Sequence, residues 1–273
     1  MDIKLVALDM DDTLLSRGLT VSPRTAEAIR RSVAQGVTVT IATGRMYRSA
    51  LPYALQLGLD VPLITYNGGL IRNCQSGETL YHQPLDEAVA HEVLALFRDK
   101  GWYIQSYVND TLYVPERNEK ARYYETLSGV PTVALGDDFY TMSGAPTKML
   151  VLSDVDQLDE ITRTVRHLFA DRLNVTRSKP TYLEITHPKV NKGEALDFLV
   201  RRLGITREQV MAVGDSQNDL DMIQYAGWGV AVSNAADNVK AAAQAVTGHH
   251  DAEGVAEAIE QYVLGSLRID KKH

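Results

Sequence analysis

The sequence predicts an α/β protein: a doubly wound, mostly parallel sheet interrupted by an inserted α+β unit. Three observations carry this. Short apolar runs alternate with amphipathic helical patterns over residues 3–66 and again over 191–264, the signature of strand–helix–strand units with right-handed crossovers. Between them, over about 85–187, short strands come in hairpin-like pairs with helices between. Finally, three of the core strands run straight into polar clusters, at Asp9-Met10-Asp11-Asp12, Thr43-Gly44-Arg45 and Gly214-Asp215, and in an open α/β sheet the carboxyl edge is where ligands bind. We therefore expect residues 1–84 and 188–273 to form one core and 85–187 to form the insert.

Taken in order, residues 3–8 are apolar except for Lys4 and read as a mostly buried strand. Ser22 and Pro23 suit the N-cap and first position of a helix that stops before Gly36. Residues 37–42 form a second strand, a helix follows to about 57, and 61–66 is a third strand running into Asn67-Gly68-Gly69. Alternation around Ser76-Gly77 predicts a hairpin over 70–83. In the insert we expect helices over 86–100, 118–127 and 157–169, and strands over 103–108, 112–114, 148–152, 173–176 and 182–186. Beyond it, Asn191-Lys192-Gly193 opens a helix to 202, Thr206 and Gln209 fit a capping box, and 210–213 is a strand ending in Gly214-Asp215-Ser216-Gln217-Asn218-Asp219. A helix to 226, a strand over 229–232, helices over 236–245 and 253–264, and a polar tail over 268–273 complete the chain.

The composition narrows the function. The 273 residues carry 35 acids against 28 bases, a net charge of −7, which argues against nucleic acid or an anionic membrane as partner. No apolar run approaches bilayer length, and the N-terminal stretch is not a signal peptide, so a cytoplasmic location is expected. The single cysteine, Cys74, fits a reducing compartment; a catalytic thiol is the sharper alternative, but no histidine is paired with it in the sequence. His249-His250 reads as an exposed loop pair.

The polar clusters share one chemistry. Asp9 and Asp11 are two apart, so on extended backbone they point the same way. They could hold a divalent cation or divide the roles of nucleophile and acid; the plain alternative is a solvated acidic turn. Thr43 could be an N-cap, Lys192 a surface lysine, and Asp215 and Asp219 a cap and a helix-start acid. Together they form the inventory of phosphoryl transfer: an attacking carboxylate, a second carboxylate as acid and base, oxygen ligands for Mg²⁺, and a hydroxyl, a backbone N–H at Gly44 and an ammonium for the phosphoryl oxygens.

In this order, Asp9-Met10-Asp11-Asp12-Thr13-Leu14, Thr43-Gly44-Arg45, Asn191-Lys192-Gly193 and Gly214-Asp215-Ser216-Gln217-Asn218-Asp219 resemble the four motifs of the haloacid dehalogenase superfamily. The large insert resembles the cap of its Cof-type branch, and the resemblance extends to about Leu264. It implies a Rossmann-like core with an α+β cap, and a Mg²⁺-dependent phosphatase of sugar phosphates or other small phosphorylated metabolites. Carried over residue by residue, it makes Asp9 the nucleophile and a metal ligand, and Asp11 the acid/base with its carbonyl on the metal. Thr43, Gly44 and Lys192 bind the phosphoryl group, Asp215 ligates the metal, Asp219 supports the metal from behind, and Asn218 lies near metal or phosphate. Asp12 stands where the family usually has Gly; Asp tolerates turn backbones, and its side chain should point away from Asp9 and Asp11. Phosphomutase is an alternative within the same chemistry, and a phospho-accepting regulatory domain an alternative outside it. The expected partner is a small phosphorylated metabolite, with the chain a monomer or homodimer. Tyr107, Asn109 and Tyr113 are candidates for reading the substrate.

Overall fold

The structure, a computed structural model, describes residues 2–265; the expected tail over 268–273 lies outside them. The chain opens with β1 (Leu5–Leu8), α1 (Pro23–Ala34), β2 (Thr38–Ile41), α2 (Tyr47–Gln56), β3 (Pro62–Thr65), β4 (Leu70–Asn73) and β5 (Thr79–His82). The insert follows as α3 (Glu87–Lys100), β6 (Gln105–Val108), β7 (Thr111–Val114), α4 (Glu119–Ser128), β8 (Thr132–Ala134), β9 (Lys148–Leu152), α5 (Val155–Phe169), β10 (Asn174–Lys179) and β11 (Tyr182–Thr186). The return is α6 (Lys192–Leu203), β12 (Val210–Gly214), α7 (Leu220–Tyr225), β13 (Trp228–Val232), α8 (Asp237–Ala242), β14 (Ala245–Thr247) and α9 (Gly254–Tyr262).

The core sheet is parallel throughout, in the order β14-β13-β12-β1-β2. Alternation along β1 covers both of its faces. Val6 and Leu8 pack with Ala28, Ile29 and Ile259 from α1 and α9, while Leu5 and Ala7 pack with Leu196, Leu199 and Met222 from α6 and α7. That explains why the strand reads as nearly continuous apolar sequence. The chain steps from β1 to β2 on one side and returns from the insert to β12 on the other. The strand order therefore reverses between β1 and β12, and that reversal opens a crevice at their carboxyl ends.

Two sequence expectations need correction, and one strand was not expected. The third strand does not extend the parallel sheet: β3 touches it through one parallel bridge, Ala42 with Ile64, and instead begins an antiparallel sheet with the β4–β5 hairpin. The expected helix over 236–245 stops at Ala242, because the alanine-rich stretch gives way to β14, which pairs Ala245, Val246 and Thr247 with β13. Helix propensity favours continuation, but an available sheet edge satisfies the backbone equally well. The strand β8, absent from the sequence reading, pairs parallel to β7.

The insert is a six-stranded sheet in the order β10-β11-β9-β6-β7-β8. Its strand alternation sorts two faces. Met149, Val151, Leu183 and Ile185 pack under Val93 and Phe97 of α3 and Ile161 and Val165 of α5. The intervening Leu150, Leu152 and Tyr182, with Tyr107 and Leu112, belong to the cluster that includes Met46 and Tyr66 of the core. Period-two geometry then puts Lys148 of β9 and Glu184 of β11 on the same face as those residues.

Candidate active site

Asp9 ends β1, and its N–H donates to Val213 O at 2.9 Å, which sets it beside Gly214 and Asp215 at the end of β12. Carboxylate oxygens of Asp9, Asp215 and Asp219 lie within 4.8 Å of one another. Lys192 opens α6 and reaches into this group: its Nζ is 2.6 Å from both Asp9 Oδ1 and Asp219 Oδ1. It is fully buried, so the surface-lysine alternative is gone.

Asp219 is shaped by its own turn. Its Oδ2 accepts from the N–H of Asp215 at 3.0 Å and of Ser216 at 2.9 Å. A Cβ on Gly214 would sit 2.6 Å from Asp219 Cβ and Cγ, so a residue without a side chain is required where the loop folds over this carboxylate. Thr13 Oγ1 donates to Asp215 Oδ1 at 3.0 Å, tying the first and fourth motifs together.

The electrostatics follow from burial. Desolvation, with repulsion from Asp219, outweighs the help of Lys192 and raises Asp9 to about 7. Desolvation and the charges of Asp9 and Asp219 raise Asp215 to about 9. Burial pulls Lys192 down, but Asp219 and Asp9 more than reverse it, so the ammonium is firmly charged. One buried cation thus faces three carboxylates. An all-oxygen carboxylate set of this kind suits a hard divalent cation.

Asp11 faces the same cavity but stands apart from that group. Arg45 takes it in a two-pronged contact, Nε to Oδ2 at 2.9 Å and Nη2 to Oδ1 at 2.6 Å. Burial works to raise its carboxyl, yet the guanidinium prevails and holds it below the ordinary carboxylate range. Asp12 has φ +58° and its carbonyl accepts from Asn234 Nδ2 at 2.7 Å, so aspartate does adopt the left-handed turn. Its carboxylate is mostly exposed at the rim, 4.0 Å from His250 Nε2.

Thr43, buried at the end of β2, accepts from Arg45 N–H through Oγ1 at 3.1 Å. A Cβ on Gly44 would meet Asn67 Oδ1 at 2.9 Å. Asn67 in turn accepts from Asn218 Nδ2 at 2.9 Å and donates to Glu184 Oε2 at 2.7 Å. Lys148 Nζ donates to Gly44 O at 2.6 Å and lies 3.5 Å from Glu184 Oε2. The cavity enclosed here measures about 190 Å³, with Tyr124, Ser178, Lys179 and Tyr182 facing it from the insert.

Sequence reasoning missed Asn67, Lys148 and Glu184. Asn67 carried the same signal as the motifs, a polar residue at a strand end. The other two are charges in otherwise buried strands, which demand a partner. Conversely, Tyr107, Asn109 and Tyr113 do not line the cavity. Tyr107 is fully buried edge-on against Tyr66, and Tyr113 packs in the insert's own core. His250 is buried rather than exposed, with Nδ1 2.8 Å from Leu15 O. Cys74 is buried as well, donating to Leu59 O and accepting from Val61 N–H, and burial raises its thiol above its ordinary value; nothing in this setting makes it a nucleophile.

The sequence profile of the haloacid dehalogenase-like hydrolases matches residues 6–259. A 5-amino-6-(5-phospho-D-ribitylamino)uracil phosphatase of Bacillus subtilis is 33% identical, over 97% of each chain. An HMP-PP phosphatase of Serratia proteamaculans is 32% identical, over 95% of each. The crystal structure of a haloacid dehalogenase-like hydrolase from Bacteroides thetaiotaomicron superposes with a TM-score of 0.89 at 31% identity, covering 95% of this chain and 99% of the other. Motif order, sheet topology and these likenesses agree: the chain belongs to the haloacid dehalogenase-like hydrolases, as a phosphatase of their Cof-type branch.

Proposed function

We propose that the protein hydrolyses a small phosphorylated metabolite, a sugar phosphate first, through a phosphoryl group carried on Asp9. The observation that supports this best is the buried arrangement at the strand reversal, in which Lys192 bridges Asp9 and Asp219 with Asp215 alongside. Asp9 offers an oxygen to phosphorus while the bond to the leaving oxygen breaks. Asp11 gives its proton to the departing alcohol, then takes one from the water that cleaves the aspartyl-phosphate. Arg45 holds Asp11 ionised, the form needed for the water step. A substrate oxygen that competes for Arg45 in the same cavity would let Asp11 rise towards its protonated form. Thr43, Gly44 and Lys192 hold the phosphoryl oxygens, and Asn218 steadies the edge of the site through Asn67.

Asp9 and Asp215, with the carbonyl of Asp11, would hold Mg²⁺, and Asp219 would keep the cluster in shape through its backbone bonds. The ion would offset charge between an anionic nucleophile and an anionic ester. A cavity of about 190 Å³ walled by Tyr124 and Tyr182 suits a sugar-sized leaving group, not a folded protein surface. The test is phosphate release from a panel of sugar phosphates and from folded phosphoproteins, with Mg²⁺ and after chelation. Release from sugar phosphates that chelation abolishes and Mg²⁺ restores is expected. Full activity after exhaustive chelation would remove the metal, and preference for phosphoproteins would remove the substrate class.

A further inference from the structure

The loop that carries Thr43 and Gly44 runs directly into α2, and α2 lacks a local N-cap: Met46, at the capping position, supplies no side-chain acceptor. The acceptor arrives from the insert. Asp110, on the tight turn between β6 and β7, accepts from Arg48 N–H through Oδ2 at 3.0 Å. Arg48 is the second residue of α2, the position whose N–H an N-cap side chain normally satisfies. The other oxygen of Asp110 accepts from Tyr66 Oη at 2.7 Å. Asn109 and Asp110 both have positive φ, +50° and +57°, and this left-handed pair aims the carboxylate out of the cap sheet into the core.

Asp110 is 8% exposed. A carboxylate so buried must be hydrogen-bonded, and among the described residues its hydrogen-bond partners, Arg48 N–H and Tyr66 Oη, belong to the core. A negative group at a helix N-terminus is further favoured by the helix dipole. Two more contacts reach the same segment: Lys148 holds Gly44 O, and Glu184 holds Asn67, which packs against Gly44. The insert thus grips a carbonyl and an amide of the 43–48 segment, in addition to packing against the side chains of Met46 and Tyr66.

We propose that the cap completes the phosphate-binding loop, with Asp110 as a positioning residue that caps α2 from across the domain junction. The proposal rests on the assignment of Thr43 and Gly44 to phosphate. When the cap is docked, the start of α2 and the Gly44 carbonyl are both fixed; when it departs, both lose their partners together. Coupling of this kind is reciprocal, so phosphate on the loop favours the docked cap.

Asp110→Ala and Asp110→Asn test this in the full chain. The Asn side chain can accept from Arg48 N–H and donate to the Tyr66 hydroxyl, so it keeps the cap while losing the charge. In Asp110→Ala we expect the Arg48 amide to exchange with solvent roughly tenfold faster. We also expect kcat for a sugar phosphate to fall by about 10–100-fold with a smaller change in KM, as for an ångström-scale misplacement of catalytic groups. Asp110→Asn should recover most of both. Added inorganic phosphate should slow Arg48 exchange in the wild type and do so less in Asp110→Ala.

Unchanged Arg48 exchange in Asp110→Ala overturns the proposal, as does a lowered Tm with kcat and KM within twofold of wild type, which marks a merely structural contact. An Asp110→Asn variant as impaired as the alanine also overturns it, and decides the matter if the alanine variant does not fold. Should the wild type release no phosphate from any ester, the proposed function fails, while the exchange rates still decide whether Asp110 caps α2.

Discussion

Lys192→Met keeps most of the alkyl chain and removes the ammonium from a point 2.6 Å from two carboxylates. The side chain is shut off from solvent, so no water replaces the lost charge. Removing one partner of a buried ion pair typically costs about 3–5 kcal/mol, a large share of a total stability on the order of 5–15 kcal/mol. Proton uptake limits the loss. Asp9 already stands at about 7 and Asp215 at about 9, and without Lys192 both move higher. A carboxyl raised on folding binds its proton more tightly folded than unfolded. Stability therefore falls as pH climbs from the unfolded value near 4 through the folded one. For the wild type with a chelator present, that fall spans about pH 4 to 9; in Lys192→Met it steepens at the upper end. Urea denaturation followed by circular dichroism, at pH 6 and pH 8.5 with EDTA, reads the difference. The variant should lose more at pH 8.5 than at pH 6, added Mg²⁺ should restore part of it, and turnover should vanish. Lys192→Arg should not rescue, since a longer planar group has no room in a site closed to solvent. A loss under about 1 kcal/mol at both pH values, with turnover retained, would refute the reasoning.

Three further outcomes are expected. Asp9→Asn should fold and lose turnover by at least about 10³-fold; substantial phosphate release from the folded, Mg²⁺-supplied variant would take the nucleophile role from Asp9. Gly214→Ala puts a methyl group 2.6 Å from the Asp219 side chain and should cost about 1–3 kcal/mol of stability together with activity, since Asp219 must leave the amides of Asp215 and Ser216; a wild-type melting curve would contradict that. Cys74, buried and with its thiol raised by that burial, should react with a thiol reagent only after urea unfolding, and rapid native labelling with loss of activity would reinstate the thiol.

Much of the fold was legible because it rests on local signals. Strand–helix alternation, the Ser22–Pro23 start of α1 and the Thr206–Gln209 capping box are properties of neighbouring residues. Acids at the ends of β1 and β12 were legible for the same reason, because a run of buried strand rarely ends in charge without purpose. What failed were features settled at a distance. Ala245 to Thr247 became a strand because β13 offered an edge, and β3 left the parallel sheet to pair with β4.

The sequence by itself determined which residues could do chemistry: the ordered acids, the Thr43-Gly44 pair and Lys192 are all present in the one-dimensional pattern. Tertiary structure alone decided which of them meet. It split the acids into two environments, Asp9, Asp215 and Asp219 about one lysine and Asp11 in the grip of Arg45. It also brought Asp110, Lys148 and Glu184 of the insert onto the 43–48 loop and Asn67. The physical reason is range. Periodicity and capping act over a few residues and leave their mark in the sequence, whereas the partner of a buried charge is chosen by packing across many tens of residues, where sequence spacing carries no distance.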